Sequence, residues 1–245
     1  MTKLLITGAS GRMGETLIQA GKDNIDSDVT STHDIGQDLN NAFKNVDAAI
    51  DFTAHHFTKE VIDAALESKT PLVIGTTGHS DEEKCYITEA SKTLPIVFAP
   101  NFSIGVNTLF WLTRKAAEVL GNDRFDIEVT EMHHRHKIDA PSGTARRLLE
   151  ILNEETGTSY DDDVAHGRVG NIGARPNREI GMHTLRGGDV VGDHTVMFAA
   201  DGERIELTHK ASSRMTFASG AVRAAIWLQE KPAGLYDMQD VLGLK

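Results

Sequence analysis

The densest run of chemically capable side chains lies at residues 131–147, EMHHRHKIDAPSGTARR. Between His133 and Arg147 it holds four fixed cations, Arg135, Lys137, Arg146 and Arg147, against one acid, Asp139. That is a local charge of +3 in a chain whose net charge is −11. Pro141 suits a helix's first turn, and Ser142, Gly143 and Thr144 offer amides and hydroxyls there. A helix N-terminus beside Lys137 makes an anion site, so a substrate bearing a carboxylate or phosphate is expected. His133 continues the alternation of Phe125, Ile127 and Val129, which turns it toward buried surface as a positioned acid or base. His133 and His134 are adjacent and on a strand face opposite ways; with no HExxH pattern and no Cys or Glu at ligand spacing, no metal is expected.

A second constellation opens the chain. GASGRMG follows the apolar run KLLIT and sets Gly8, Gly11 and Gly14 three apart, at the start of a helical pattern carried by Met13, Leu17 and Ala20. Glycines there let backbone approach a pyrophosphate, whose charge rests on the helix N-terminal amides. Asp34 follows Gly14 by 20 residues, a spacing that suits an acid bonded to ribose hydroxyls. Two further turns, Gly75-Thr76-Thr77-Gly78 and Ala99-Pro100-Asn101-Phe102, stand at predicted strand ends and should flank the nicotinamide half of a dinucleotide. A short-chain dehydrogenase would need a Tyr with Lys four residues on. Tyr86, Tyr160 and Tyr236 are followed there by Ala90, Val164 and Asp240.

These residues need elements to hold them. Strands are predicted at 3–7, 29–33, 46–52, 72–75 and 96–99, alternating with helices after Gly11, near 57–68 and over 81–92. Such alternation means parallel βαβ units, so the fold class is α/β with an N-terminal Rossmann-type sheet. After Asn101 the rhythm changes. A helix over 106–120, the alternating strand FDIEVTEM and a helix from Pro141–Ser142 precede a Gly-, Asp- and Asn-rich loop at 157–178. Three strands, 180–185, 190–200 and 204–210, follow without helices between them, and a last helix spans 219–229. The second part is an α+β domain on an open mixed sheet. The expected division is a dinucleotide-binding domain at 1–104, completed by 215–245, and a substrate domain at 105–214.

With 36 acids against 25 basic residues, the surface repels phosphate backbones, and nucleic acid is not an expected partner. Cys85 is the only cysteine, which excludes an intrachain disulfide and fits a reducing, cytoplasmic setting. No apolar run exceeds five residues and the N-terminal one, Leu4–Ile6, stops at three. Neither a membrane span nor a signal peptide is expected.

The whole chain resembles the dihydrodipicolinate reductase family of the bacterial lysine and diaminopimelate pathway. The likeness runs through GASGRMG, GTTG, PNFSIGVN, HHRHKIDAPSGTA, HTLRGGDVVGDHTVMF and ASSRMTFASGAVRAA. It implies hydride transfer from NADH or NADPH to a cyclic imine dicarboxylate with loss of water. By this likeness His133 is the general acid, while Lys137 holds a substrate carboxylate and also donates a proton. His134, Gly143 and Thr144 contact substrate. Gly8, Ala9, Ser10, Gly11, Arg12 and Met13, with Gly75, Thr76 and Thr77 and with Ala99, Pro100, Asn101 and Phe102, contact cofactor. The likeness further implies a homotetramer built on the second domain, and a last helix that returns to the cofactor domain. One segment departs from the pattern: Ile35 follows Asp34, where members using NADPH well often carry arginine. NADH is therefore expected to serve at least as well as NADPH.

Overall fold

The computed structural model describes residues 1–245 and divides them into two compact units, Met1–Ile104 with Arg214–Lys245, and Gly105–Ser213. The first unit opens with β1 (Thr2–Thr7), α1 (Arg12–Asp23), β2 (Ser27–His33), the short α2 (Leu39–Ala42) and β3 (Ala48–Asp51). It continues with α3 (Thr58–Ser68), β4 (Leu72–Ile74), α4 (Asp81–Ser91) and β5 (Pro95–Phe98). All five strands pair in parallel, in the order β5-β4-β3-β1-β2. The central strands are apolar without alternation because both faces are covered, and every residue of β3 and β4 is buried. The chain runs from β1 to one side and then to the other, which puts the topological switch point between β1 and β3.

The second unit begins with α5 (Ile104–Leu120), β6 (Asp126–His133), α6 (Gly143–Thr156), α7 (Tyr160–Asp163) and β7 (Val164–His166). It closes with β8 (Ile180–Arg186), β9 (Gly192–Ala200) and β10 (Glu203–Ala211). The sheet order is β10-β9-β6-β8-β7, with β9 antiparallel to both neighbours and β6, β8 and β7 parallel. This is the mixed sheet expected from three strands without intervening helices. Its core joins Val106, Leu109 and Phe110 of α5 to Ile127 and Val129 of β6 and to Leu148, Leu149 and Leu152 of α6. One expectation fails here. Residues 157–178 are not loop throughout but include α7 and β7, which pairs Val164 with Ile180. Neither YDDD of α7 nor VAH of β7 carries the apolar run that marks the equally short β4 and β5.

The chain then returns to the first unit as α8 (Met215–Leu228), β11 (Gly234–Tyr236) and α9 (Met238–Leu242). β11 adds a sixth parallel strand beside β5. The alanine-rich face of α8, through Ala218, Ala221 and Ala225, lies in the same core as Leu4, Ile6, Leu17 and Val73. Small side chains let this helix lie close to the sheet.

A close approach of helix to strand end in this unit is at Gly14 of α1. A Cβ there would fall 2.1 Å from the Gly8 carbonyl oxygen and 2.7 Å from Ala9 backbone, so helix and strand end touch through bare backbone. Gly187, by contrast, has nothing within 4 Å of an added Cβ. Gly14→Ala is expected to cost at least ~2 kcal/mol of unfolding free energy, and Gly187→Ala to stay within ~0.5 kcal/mol. Chemical denaturation of both variants checks the contrast; equal costs would refute it.

Candidate active site

In the second unit the expected site residues gather around a glutamate. Ile127, Val129, Glu131 and His133 alternate onto the buried face of β6, so Glu131 and His133 stand side by side beneath the helices. Glu131 is 0% exposed and accepts four hydrogen bonds: from His133 Nδ1 at 2.5 Å, Arg186 Nη1 at 2.9 Å, Arg186 Nη2 at 3.0 Å and the Ser142 amide at 3.1 Å. Burial alone would push its carboxyl up, but the bonds from His133 and Arg186 outweigh that and hold it at about 2. Arg186 also donates to the Asp139 carbonyl at 2.6 Å, and Lys137 pairs with the Asp139 carboxylate at 2.9 Å. Through Glu131 and Arg186, then, the His133 strand end, the Lys137 loop and the start of α6 are tied into one network.

Ser142 caps α6, its hydroxyl accepting from the Ala145 amide at 3.2 Å. Gly143 and Thr144 form the first turn, and nothing lies within 4 Å of where a Gly143 Cβ would be. A backbone approach from solvent is open at that point. His134 leads the loop that follows β6, its carbonyl accepting from the Lys137 amide at 3.1 Å. The cations counted in the sequence separate. Arg147 pairs with Glu150 and Glu154, and Arg146 lies over the Tyr160 ring, so both serve the outer surface of α6. The anion-binding donors reduce to Lys137, the exposed Arg135 of the same loop and the α6 terminus. Behind them His194 of β9 is 3% exposed, shares a 3.1 Å hydrogen bond with the Ser142 hydroxyl and meets the His133 ring edge-on at 5.1 Å.

In the first unit the glycine turn joins β1 to α1. Gly8 has φ +66° and its amide donates to the His33 carbonyl at 2.8 Å. Gly11 caps α1 without a side-chain bond, which leaves the first-turn amides to a ligand. Such a turn fits a dinucleotide's pyrophosphate. Asp34, just past β2, accepts from the Ser10 amide at 3.0 Å and the Ser10 hydroxyl at 2.9 Å, both on Oδ1. Ala9 is buried and Met13 packs on the core, so at these positions backbone faces outward, whereas Ser10 and Arg12 are exposed. Gly75–Thr77 and Ala99–Phe102 follow the carboxyl ends of the adjacent strands β4 and β5. The Phe102 ring is 1% exposed and packs against Phe52, so this residue meets the strand end through its backbone. Pro100 is exposed, and the Asn101 side chain accepts from the Ser103 amide at 2.8 Å. Thr76 donates its hydroxyl to Asp51 at 2.8 Å.

Known proteins resemble the chain over its whole length. The family profile described as "Dihydrodipicolinate reductase, N-terminus" matches residues 2–102, and that described as "Dihydrodipicolinate reductase, C-terminus" matches 105–242. The chain belongs to the dihydrodipicolinate reductase family. A 4-hydroxy-tetrahydrodipicolinate reductase of Akkermansia muciniphila is 62% identical over 100% of this chain and 99% of its own. One from Hahella chejuensis is 47% identical, with 100% of each chain covered. Among solved structures, a dipicolinate-bound dihydrodipicolinate reductase from Paenisporosarcina sp. TG-14 superposes with TM-score 0.78 at 24% identity, covering 98% of both chains, a likeness of fold.

To the cluster expected from sequence the structure adds Glu131, Arg186 and His194 and, in the first unit, it adds Asp51. Glu131 was legible in principle, two residues before His133 on the same face. Arg186 and His194 reach the site from other strands, and nothing local announces them.

His194 carries a consequence for acid stability. Burial, reinforced by the neighbouring His133, pushes its imidazole down to about 3 from an ordinary 6.5. Between those values the unfolded chain holds a proton at this residue that the folded one lacks, so folding weakens as pH falls, by up to ~1.4 kcal/mol per pH unit. Glu131, ordinarily near 4.5, adds nothing above pH 5. His194→Gln is therefore expected to be less stable than wild type at pH 7, with a gap that narrows by ~2 kcal/mol on going to pH 5. Urea unfolding at the two pH values measures it, and a constant gap would contradict the assignment.

Proposed function

We propose that this protein reduces 4-hydroxy-tetrahydrodipicolinate to tetrahydrodipicolinate with NADH or NADPH, releasing water, in lysine and diaminopimelate biosynthesis. The observation that carries this reading is the second unit's network. It joins a buried histidine to an open helix terminus and a lysine, the set a cyclic imine dicarboxylate needs. When bound, the nicotinamide cofactor supplies hydride, and the glycine turn, Asp34 and the ends of β4 and β5 are the residues that would hold it. Lys137 and the amides of Gly143 and Thr144 take the substrate carboxylates, with His134 beside them. A substrate carboxylate at Lys137 replaces Asp139 as its partner. Hydride gain by an unsaturated imine leaves carbanion-like charge on the ring, and His133 delivers the proton that neutralises it. The same reading includes a cytoplasmic homotetramer; no helix here is long and apolar enough to cross a membrane.

The test is oxidation of NADH in the presence of freshly made condensation product of pyruvate and aspartate semialdehyde. Wild type should turn over. His133→Gln and Lys137→Ala should each lower kcat by about 10²–10⁴-fold, with NADH affinity nearly unchanged because the nucleotide determinants lie in the other unit. Near-native turnover in either variant removes that residue from its role.

Cofactor choice follows from Asp34. Both Ser10 bonds fall on Oδ1, so Oδ2 can accept from the adenosine ribose hydroxyls while the charge repels a 2′-phosphate. Ile35 is fully exposed and offers no cation; Arg12, exposed in the first turn of α1, offsets part of the repulsion. NADH should be used at least as well as NADPH, with kcat/KM differing by about tenfold or ~1–2 kcal/mol. Asp34→Ser with Ile35→Arg should shift preference toward NADPH. Steady-state kinetics with both cofactors decide it, and a strong wild-type preference for NADPH would mean Asp34 does not meet the ribose.

A further inference from the structure

Resting on that reading of His133, we infer that Glu131 is its positioning residue: it fixes the imidazole as the Nδ1–H tautomer and leaves Nε2 as the atom that carries the working proton. Valence decides where the proton lies. A carboxylate only accepts, and Glu131 takes four donors on two oxygens, two of them from Arg186, which cannot lose its charge. So placed, the carboxylate stays ionised, and the hydrogen between it and His133 at 2.5 Å must sit on Nδ1. The arrangement repeats the logic by which a carboxylate orients a catalytic imidazole and steadies its cation.

The other side of the ring is kept clear. At Gly192, the first residue of β9, a Cβ would stand 3.0 Å from His133 Nε2 and 3.4 Å from Cδ2. Any side chain there would crowd the working nitrogen, whereas glycine leaves it accessible. The groups facing His133 are Glu131 on its own strand, Arg186 from β8, and His194 from β9 with Lys137 and Asp139 in the following loop. Of these, the Glu131 carboxylate is the one hydrogen-bonded to the ring. Arg186 is spent on Glu131 and does not compete for the imidazole.

Two measurements test the role. Nitrogen-15 spectra of the histidine side chains in wild type, with His133 assigned by its loss in His133→Gln, are expected to show Nδ1 protonated and Nε2 bare at high pH. A predominant Nε2–H form would overturn the inference whatever the enzyme's activity. In kinetics, Glu131→Gln, whose amide presents hydrogens toward Arg186, should lower kcat by about 10²-fold or more while KM for NADH changes less than about twofold. The limb of the pH profile set by the acid should move toward low pH, which mere loosening of the fold would not do. Unchanged kcat with an unmoved limb would also overturn it. Because Glu131→Gln can fail to fold, Gly192→Ala is the companion variant: it should reduce kcat at least tenfold with NADH binding intact, and full activity would contradict an open Nε2. A wild type inert toward the condensation product would sink the proposed function instead, leaving the tautomer spectrum to judge this inference.

Discussion

A carboxylate buried to zero exposure is the constraint around which the second unit is built. Leaving such a charge without partners costs several kcal/mol, so every lone pair of Glu131 has to be used. The donors come from three places: its own strand, the neighbouring β8, and the cap of α6. Each is fixed by a different part of the fold. In the parallel pairing of β6 with β8, His133 stands opposite Arg186 and Glu131 opposite Thr184, which puts the guanidinium within diagonal reach of the carboxylate. A slip of one residue would turn Glu131 and His133 to the other face of the sheet. The charge therefore specifies register as much as register places the charge.

The first unit solves a similar problem with weaker donors. Asp51, fully buried at the end of β3, accepts hydroxyls from Thr7 at 2.6 Å, Thr53 at 2.7 Å and Thr76 at 2.8 Å. Thr7 is its register partner on β1 across the switch point, and Thr76 follows β4. Three strand ends that would otherwise diverge are thereby held at the place where ligands of such sheets bind. No cation contributes to this set of bonds. Neutral donors hold the loops without placing a positive charge at the sheet's end, in contrast with the arginine-backed pair in the other unit.

How much of this could be read from residue order depends on the range of the interaction. The alternation Ile127, Val129, His133 put the histidine on the buried face, and the structure places it there, 8% exposed. The helix opening at Ser142 and the parallel strands around the glycine turn were visible for the same reason: caps and periods are local. The pairing of Arg146 and Arg147 within α6 was also local, at spacings of three and four, and counting net charge obscured it. What could not be read was the partner from far along the chain. Arg186 lies 55 residues from Glu131, and Thr7 lies 44 from Asp51. Strands of three residues, β7 and β11, exist because a neighbour completes their hydrogen bonds, and no pattern of their own marks them.

Strand β6 carries a second histidine–glutamate pair on its other face, around the partly buried Glu128. Three residues before Glu131, and so on the opposite face, Glu128 accepts from His183 at 2.6 Å, from Arg168 at 2.7 and 3.0 Å and from Arg175 at 3.1 Å. Burial would raise its carboxyl, yet these donors hold it at about 2, the same level as Glu131. Gly181 makes room for it, since a Cβ there would overlap the carboxylate. Residue types and protonation are thus nearly duplicated across the two faces. The surroundings differ. Arg168 and Arg175 belong to the segment between β7 and β8, Glu179 of that segment also pairs with Arg168 at 2.5 Å, and the cluster fastens this connection to the sheet. Around Glu131 the same chemistry adjoins an open helix N-terminus and a lysine whose own partner, Asp139, is a half-exposed carboxylate that a substrate can replace. The two faces differ in the donors left available to a ligand, and on the proposed reading the carboxylate–imidazole pair has a catalytic use only where such donors stand beside it.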